Sequence, residues 1–205
     1  MLADHNHPVG IVTKSALVTR DLDILAPMAA KGLATVLLSV TTLDSELART
    51  LEPRASTPRK RLAAISMLSR AGIPTGVMAA PMIPALNDSE MEAILAAARE
   101  AGALRANFTL LRLPLEIKEL FTEWLETHAP NKAKHVLSLI RQSRGGKLND
   151  PNFHGRFTGT GPYADLMARR FRVACRKLGL NQTKLVLDTT QFRLPPRAGD
   201  QLALL

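Results

Sequence analysis

The sequence predicts an α/β protein built on a parallel sheet, and three observations predict it. Four short, largely apolar runs recur between residues 9 and 111, the first of them rich in β-branched residues. Each of the first three is followed by a segment with helical periodicity, and a glycine stands where each of those helices should stop. Near-continuous apolar strands joined by helical crossovers belong to strands that run the same way, because the crossover returns the chain to the edge it left. A doubly wound sheet and a section of a barrel both satisfy this pattern.

The elements follow in order. Residues 9–13 (Val-Gly-Ile-Val-Thr) form the first strand, and residues 20–31 carry Leu22, Leu25, Ala26 and Ala29 at helical spacing before Gly32. Residues 33–40 repeat the strand signal; Thr57-Pro58 caps a helix running through Arg70, with Gly72 as its stop. The third unit is a strand at 75–80 and a helix from Asp88, with Asp88 or Ser89 as cap and Gly102 past its end. A fourth strand covers 106–111. After Pro114 the alternation stops, and helices are expected over 115–128, 131–143 and 161–178, with a long glycine-containing loop over 144–160. The expected organisation is therefore a βα region at 1–113, a helical extension at 114–182 and a tail at 183–205.

Bulk properties narrow the function. With 205 residues and 46% hydrophobic content the chain can bury a substantial core. No apolar run approaches the roughly 18 residues that cross a bilayer, and the first residues carry neither a basic region nor an apolar stretch. The expectation is a cytoplasmic protein without membrane contact. One cysteine, Cys175, excludes an intrachain disulfide and a thiolate-ligated cluster or zinc site within this sequence. It sits on a helical pattern where a small buried side chain is the simplest reading. The net charge of +9 is concentrated: residues 130–182 hold eleven Lys and Arg, from Lys132 to Lys177, against Asp150 and Asp165. Such a block favours an anionic partner, nucleic acid above all, or else is a solvated basic face.

Ligands of parallel α/β folds sit at the C-terminal ends of the strands. There the sequence places Thr13-Lys14-Ser15, Ser39 to Thr42, Ala79 to Met82, and Arg112-Leu113-Pro114. A lysine, several hydroxyls and an arginine at one rim suit a carboxylate or another anion, although the same residue types also end strands and cap helices. Asp4, His5 and His7 have near-metal spacing but lie beside a terminus, and His128, His135 and His154 form no visible set.

Several strings in order resemble one family. Val12-Thr13-Lys14-Ser15, Leu38-Ser39-Val40-Thr41-Thr42, the stretch from Leu51 to Leu62 with Arg54, and Ala80-Pro81-Met82-Ile83-Pro84 are similar to spore photoproduct lyase and its "DNA repair photolyase" relatives among radical S-adenosylmethionine proteins. Leu110 to Pro114, Phe121 to Leu125, Arg144-Gly145-Gly146-Lys147-Leu148 and Gly161 to Ala164 resemble a mostly bacterial branch of that group. The resemblance runs from about His7 to Gly179.

What the resemblance implies is a partial TIM-like barrel whose third to sixth strands are the four above. It implies a 4Fe–4S cluster on a Cys-x3-Cys-x2-Cys loop, and an S-adenosylmethionine whose cleavage yields a 5′-deoxyadenosyl radical. The cysteine loop and the glycine-rich element that holds the methionyl amine are missing from this sequence, so the expectation is an N-terminally truncated form that is inactive alone. Carried over residue by residue, Lys14 meets the cofactor carboxylate, Ser39 bonds the cofactor, and Ala80 offers backbone to its adenine side. Arg54, Arg112 and Lys147 are candidates for an anionic part of a substrate, with packing on Glu52 or a helix end as the alternative for Arg54 and a structural salt bridge as that for Arg112. Repair of a nucleic-acid lesion is one reaction the resemblance suggests; a non-catalytic nucleic-acid-binding protein is the rival. At the C-terminus, Gln201, Leu202, Leu204 and Leu205 resemble a short peptide that docks on the bacterial sliding clamp.

Overall fold

A computed structural model describes residues 1–150 and 157–194; the clamp-like peptide at Gln201, Leu202, Leu204 and Leu205 lies outside the described residues. Strands β1 (Val9–Thr13), β2 (Ala34–Val40), β3 (Thr75–Met82) and β4 (Arg105–Leu110) form one sheet in sequence order, every neighbouring pair parallel. A doubly wound sheet reverses its strand order part-way, which places helices on both faces. Here the order never reverses, so the crossovers all return over one face.

Those crossovers are a 3-10 turn (Ala16–Asp21) with α1 (Leu22–Ala30), the pair α2 (Ser45–Leu51) and α3 (Pro58–Arg70), and α4 (Met91–Glu100). Thr57 caps α3 by accepting from the Lys60 amide at 3.4 Å, and Pro58 follows at the first helical position, where its missing N–H costs nothing. At α4 the expected Asp88 or Ser89 cap is replaced by a 3-10 turn at Asp88–Glu90, and no side chain caps the helix. α2 lies in a stretch that reads from sequence as loop. It is seven residues long, buries only Ala48, and starts because the Asp44 carboxylate accepts from the amides of Glu46 and Leu47.

Alternation along the strands divides the sheet. Val36, Leu38 and Val40 of β2, Val77 and Ala79 of β3, and Ala106, Phe108 and Leu110 of β4 join the helices in one core. From α4, Met91, Ile94, Leu95 and Ala98 enter it, the three larger ones each contributing about 1.5–3 kcal/mol by burial. The intervening residues, among them Val12, Leu37, Ser39, Met78 and Thr109, point to the other face, where Val12 is 60% exposed. A parallel sheet with helices on one side only is the wall of a barrel. Gly76 marks how closely its strands approach: a Cβ there would lie 2.9 Å from the Arg105 carbonyl oxygen.

The later helices pack in two groups. α5 (Ile117–His128) and α6 (Pro130–Gln142) form a second apolar cluster with Ile83 and Leu113 at the strand tips. α7 (Gly161–Leu178) instead packs on α4 and β4, placing Ala164, Met167, Ala174 and Cys175 in the main core. The chain then runs back under the sheet. Asn181 brackets the outer edge of β4 through both Ala106 backbone groups, the Asp188 amide bonds Gly32, and the Arg193 amide bonds His5. Part of the segment expected as a tail therefore ties β4 to the start of β1.

Candidate functional site

At the C-terminal rim, all four strand tips line one shallow depression of about 260 Å³. Its walls include Lys14 after β1, Ser39 on β2, Ala80 and Pro81 on β3, Thr109 to Arg112 at the end of β4, and Phe157. Lys14, Ser39, Ala80 and Arg112 are thus brought together. Arg54 and Lys147 are not: both are exposed on turns and neither lines the depression.

Behind Lys14 stands a network that sequence reasoning did not assign. Glu52, at the end of α2, is ion-paired with Lys14 through Oε1 and with Arg61 Nη2 through Oε2 at 2.6 Å. The Thr41 hydroxyl lies 2.8 Å from Glu52 Oε1 and 2.9 Å from the Ala80 carbonyl oxygen. Arg61 also donates through Nε to the Ser56 carbonyl at 2.7 Å and through Nη1 to the Ser39 carbonyl at 2.9 Å. Arg61 is 1% exposed and the Glu52 side chain 9%, whereas Lys14 is 43% exposed. Burial alone raises the Glu52 pKa, but the bonds from Lys14, Arg61 and Thr41 together outweigh it and hold the carboxyl below its ordinary value. The arginine that packs on Glu52 is therefore Arg61, not Arg54. One signal for it exists: Pro58, Arg61, Ile65 and Leu68 recur at helical spacing, so Arg61 occupies a core-facing position of α3.

The opposite wall carries two arginines. Arg144 is buried and donates through Nη2 to the carbonyls of Leu110 and Leu111, at 3.3 and 3.0 Å, fixing the end of β4. Burial lowers its pKa, the Asp150 charge opposes that shift, and the nearby positive charge of Arg112 adds to it. The Arg112 guanidinium carbon lies 5.1 Å from the centre of the Phe157 ring. Its Nε is buried and makes no hydrogen bond.

Away from the rim, Cys175 is buried with its thiol pKa pushed up to about 11 by desolvation, the mark of an inert structural cysteine. No group of three His, Cys, Asp or Glu among the described residues could hold a metal ion, and Asp4 pairs with the terminal amine at 2.6 Å. No described helix is long and apolar enough to cross a membrane. In the basic region, Arg170 is engaged: it donates to Glu92 at 2.8 and 2.6 Å and to the Asp88 carbonyl at 2.9 Å. Arg169, Arg172, Arg176 and Lys177 remain exposed along α7.

A rim of this kind on a one-sided parallel sheet invites comparison with known families. Residues 1–98 match the Radical SAM superfamily. The match covers β1, β2, β3 and nearly all of α4, so Lys14, Ser39, Glu52, Arg61 and Ala80 lie inside it and Arg112 outside. The sheet alternating with helices fits a partial TIM-like radical SAM fold. An uncharacterised protein of Mycobacterium tuberculosis is 33% identical over 143 residues, or 69% of this chain and 42% of the relative. One from Mycobacterium bovis shows the same values. An uncharacterised protein of Acidianus two-tailed virus is 38% identical over 74 residues, covering 36% of this chain and 24% of its own length. The chain thus spans less than half the length of the relatives it matches.

Radical SAM proteins in general use S-adenosylmethionine and an iron–sulfur cluster, and the residues present fit the two groups unequally. The methionine end of S-adenosylmethionine carries a carboxylate and an ammonium; Lys14 and Ser39 supply a charged and a neutral donor for the former. The cluster does not fit: it needs several thiolates, and the one cysteine of this sequence is buried in the core.

Proposed function

We propose that this chain is part of a radical S-adenosylmethionine enzyme of the spore photoproduct lyase-like branch, and that it supplies the wall receiving the carboxylate end of the cofactor. The observation that carries this reading is the convergence of Lys14, Ser39 and Ala80 on one depression, within the segment matching the Radical SAM superfamily. The cluster ligands come from polypeptide other than this sequence, because Cys175 is its one cysteine. When bound, the cofactor supplies the radical that removes hydrogen from a substrate. The chain's own residues bind and orient: Lys14 offers its ammonium to the carboxylate while Glu52 and Arg61 hold it at the rim, and the hydroxyl of Ser39 offers a neutral hydrogen bond. Ala80 acts through backbone alone, and Thr41 lies within hydrogen-bond distance of its carbonyl.

Titration of the 205-residue chain with S-adenosylmethionine tests this reading. Lys14→Ala is expected to weaken binding about fivefold to tenfold, the effect of one charge-assisted bond to a half-exposed ammonium. Equal binding by Lys14→Ala and the parent, or no binding by either once joined to the polypeptide that carries the cluster, sinks the assignment. Joined to a polypeptide carrying the three cysteines and loaded with iron and sulfide, the chain is expected to become brown and to cleave the cofactor reductively.

A nucleic-acid partner is the second reading, favoured by the exposed cations along α7. Arg169, Arg172 and Arg176 recur three and four residues apart and so share one side of the helix, whereas Arg170 is committed to Glu92. Arg172→Glu with Arg176→Glu is expected to weaken binding to duplex DNA and to flatten the slope of log K against log salt by about two, one unit for each phosphate no longer neutralised. An unchanged slope removes α7 from any such interface.

A further inference from the structure

The two cations of the depression stand in different electrostatic states. Lys14 is paired with Glu52, whose remaining oxygen is taken by Arg61, and its half-exposed ammonium keeps donors for the cofactor carboxylate. No carboxylate among the described residues pairs with Arg112. Its Nε is buried and has no hydrogen-bond acceptor among the described residues. A desolvated donor without a partner is costly to keep, and a ligand oxygen that supplies the acceptor removes that cost.

Its surroundings add to the case. Phe157 covers one face of the guanidinium and restricts its plane, so the donors along its edge are ordered before any ligand arrives. Arg144 lies close enough that the positive charge of Arg112 depresses its pKa, and Arg144 is fixed in place by the carbonyls of Leu110 and Leu111. Asp150 offsets part of the charge of Arg144, and an incoming oxyanion lowers the repulsion that remains between the two guanidinium groups.

We infer that Arg112 is the anchor of a second anion subsite in this depression, separate from Lys14, which takes a phosphate or carboxylate oxyanion of an acidic substrate. That the anion belongs to a substrate rests on the radical S-adenosylmethionine reading; the subsite itself does not. A planar fork with ordered Nε and Nη donors matches two oxygens of one oxyanion side-on, a geometry that a lysine ammonium lacks.

Arginine Nε–Hε signals in ¹⁵N–¹H spectra of the 205-residue chain report the site directly. Sodium phosphate and sodium acetate, titrated separately at constant ionic strength, are the probes. The Arg112 signal is expected to move saturably with at least one of them; phosphate alone assigns a phosphorylated substrate, acetate alone a carboxylate, and a response to neither overturns the subsite. Arg112→Gln is expected to raise the dissociation constant at least fivefold and Arg112→Lys at least threefold, with folding read from the same spectra. Arg54→Gln, which removes an exposed cation outside the depression, should leave it within twofold. An unchanged constant in Arg112→Gln, or displacement of the probe by S-adenosylmethionine, overturns the inference. Loss of S-adenosylmethionine binding with probe binding intact sinks the cofactor reading alone, and the reverse sinks the subsite alone.

Discussion

Arg61→Leu is expected to cost about 3–5 kcal/mol of folding stability, measured by urea denaturation at pH 7, because it removes one partner of a buried ion pair. The leucine fills space but leaves the carbonyls of Ser39 and Ser56 without the donors they now have, and leaves Glu52 with Lys14 and Thr41 only. Three elements are released together: α3, which carries Arg61; β2, which ends near Ser39; and the turn after α2. Glu52→Leu in the same chain should recover part of the loss, since two apolar side chains cost less than one stranded charge. A single-substitution loss below about 1 kcal/mol would show that the pair is structurally idle.

The same network sets a pH dependence whose sign follows from Glu52. Its folded-state pKa lies below its unfolded value, so its contribution is fully present above the ordinary carboxylate range and is lost as pH falls through the folded value. Stability of the parent should therefore drop on acidification from about pH 4.3 downward. In Glu52→Gln this part of the slope disappears, because the amide does not titrate; midpoints of urea transitions between about pH 3 and pH 7 separate the two.

How much of this is legible in the sequence depends on whether local pattern or tertiary contact does the specifying. The four strands are legible because each is a short, largely apolar run set off by helix and turn signals, β4 being the weakest because Arg105, Asn107 and Thr109 alternate with its apolar residues. The choice between a doubly wound sheet and a barrel section is not, because strand order is a property of crossovers and leaves no local trace. α2 escapes because seven residues burying one alanine carry almost no periodicity. The rim residues Lys14, Ser39, Ala80 and Arg112 follow from one rule, that ligands meet strand C-termini, applied to strands already placed. Glu52 and Arg61 do not follow, because charged residues are presumed exposed unless their partner is known, and these two lie nine residues apart on different helical segments. The basic block is visible as composition, but composition does not show that Arg170 is spent on Glu92.

Asn87→Ala should lower stability by about 3 kcal/mol and loosen the rim. The Asn87 side chain, 0% exposed, ties two strand tips: its Oδ1 accepts from the Ile83 amide at 2.6 Å, and its Nδ2 donates to the carbonyls of Thr41 at 2.7 Å and Pro81 at 3.0 Å. Alanine strands one buried donor and two acceptors, each costing roughly 1–3 kcal/mol where water does not enter. The sum falls short of three full penalties because the small side chain leaves room for a water molecule to bridge some of them. Function is touched through position: Thr41 follows the end of β2 two residues after Ser39, and Pro81 adjoins Ala80, so the amide fixes the spacing between two walls of the depression. S-adenosylmethionine affinity should therefore fall in Asn87→Ala although Asn87 does not line the depression, whereas Ser138→Ala, exposed on α6, should change neither quantity. A destabilised Asn87→Ala that binds the cofactor like the parent would show that the tips are held apart by the sheet itself, and that the amide serves folding alone.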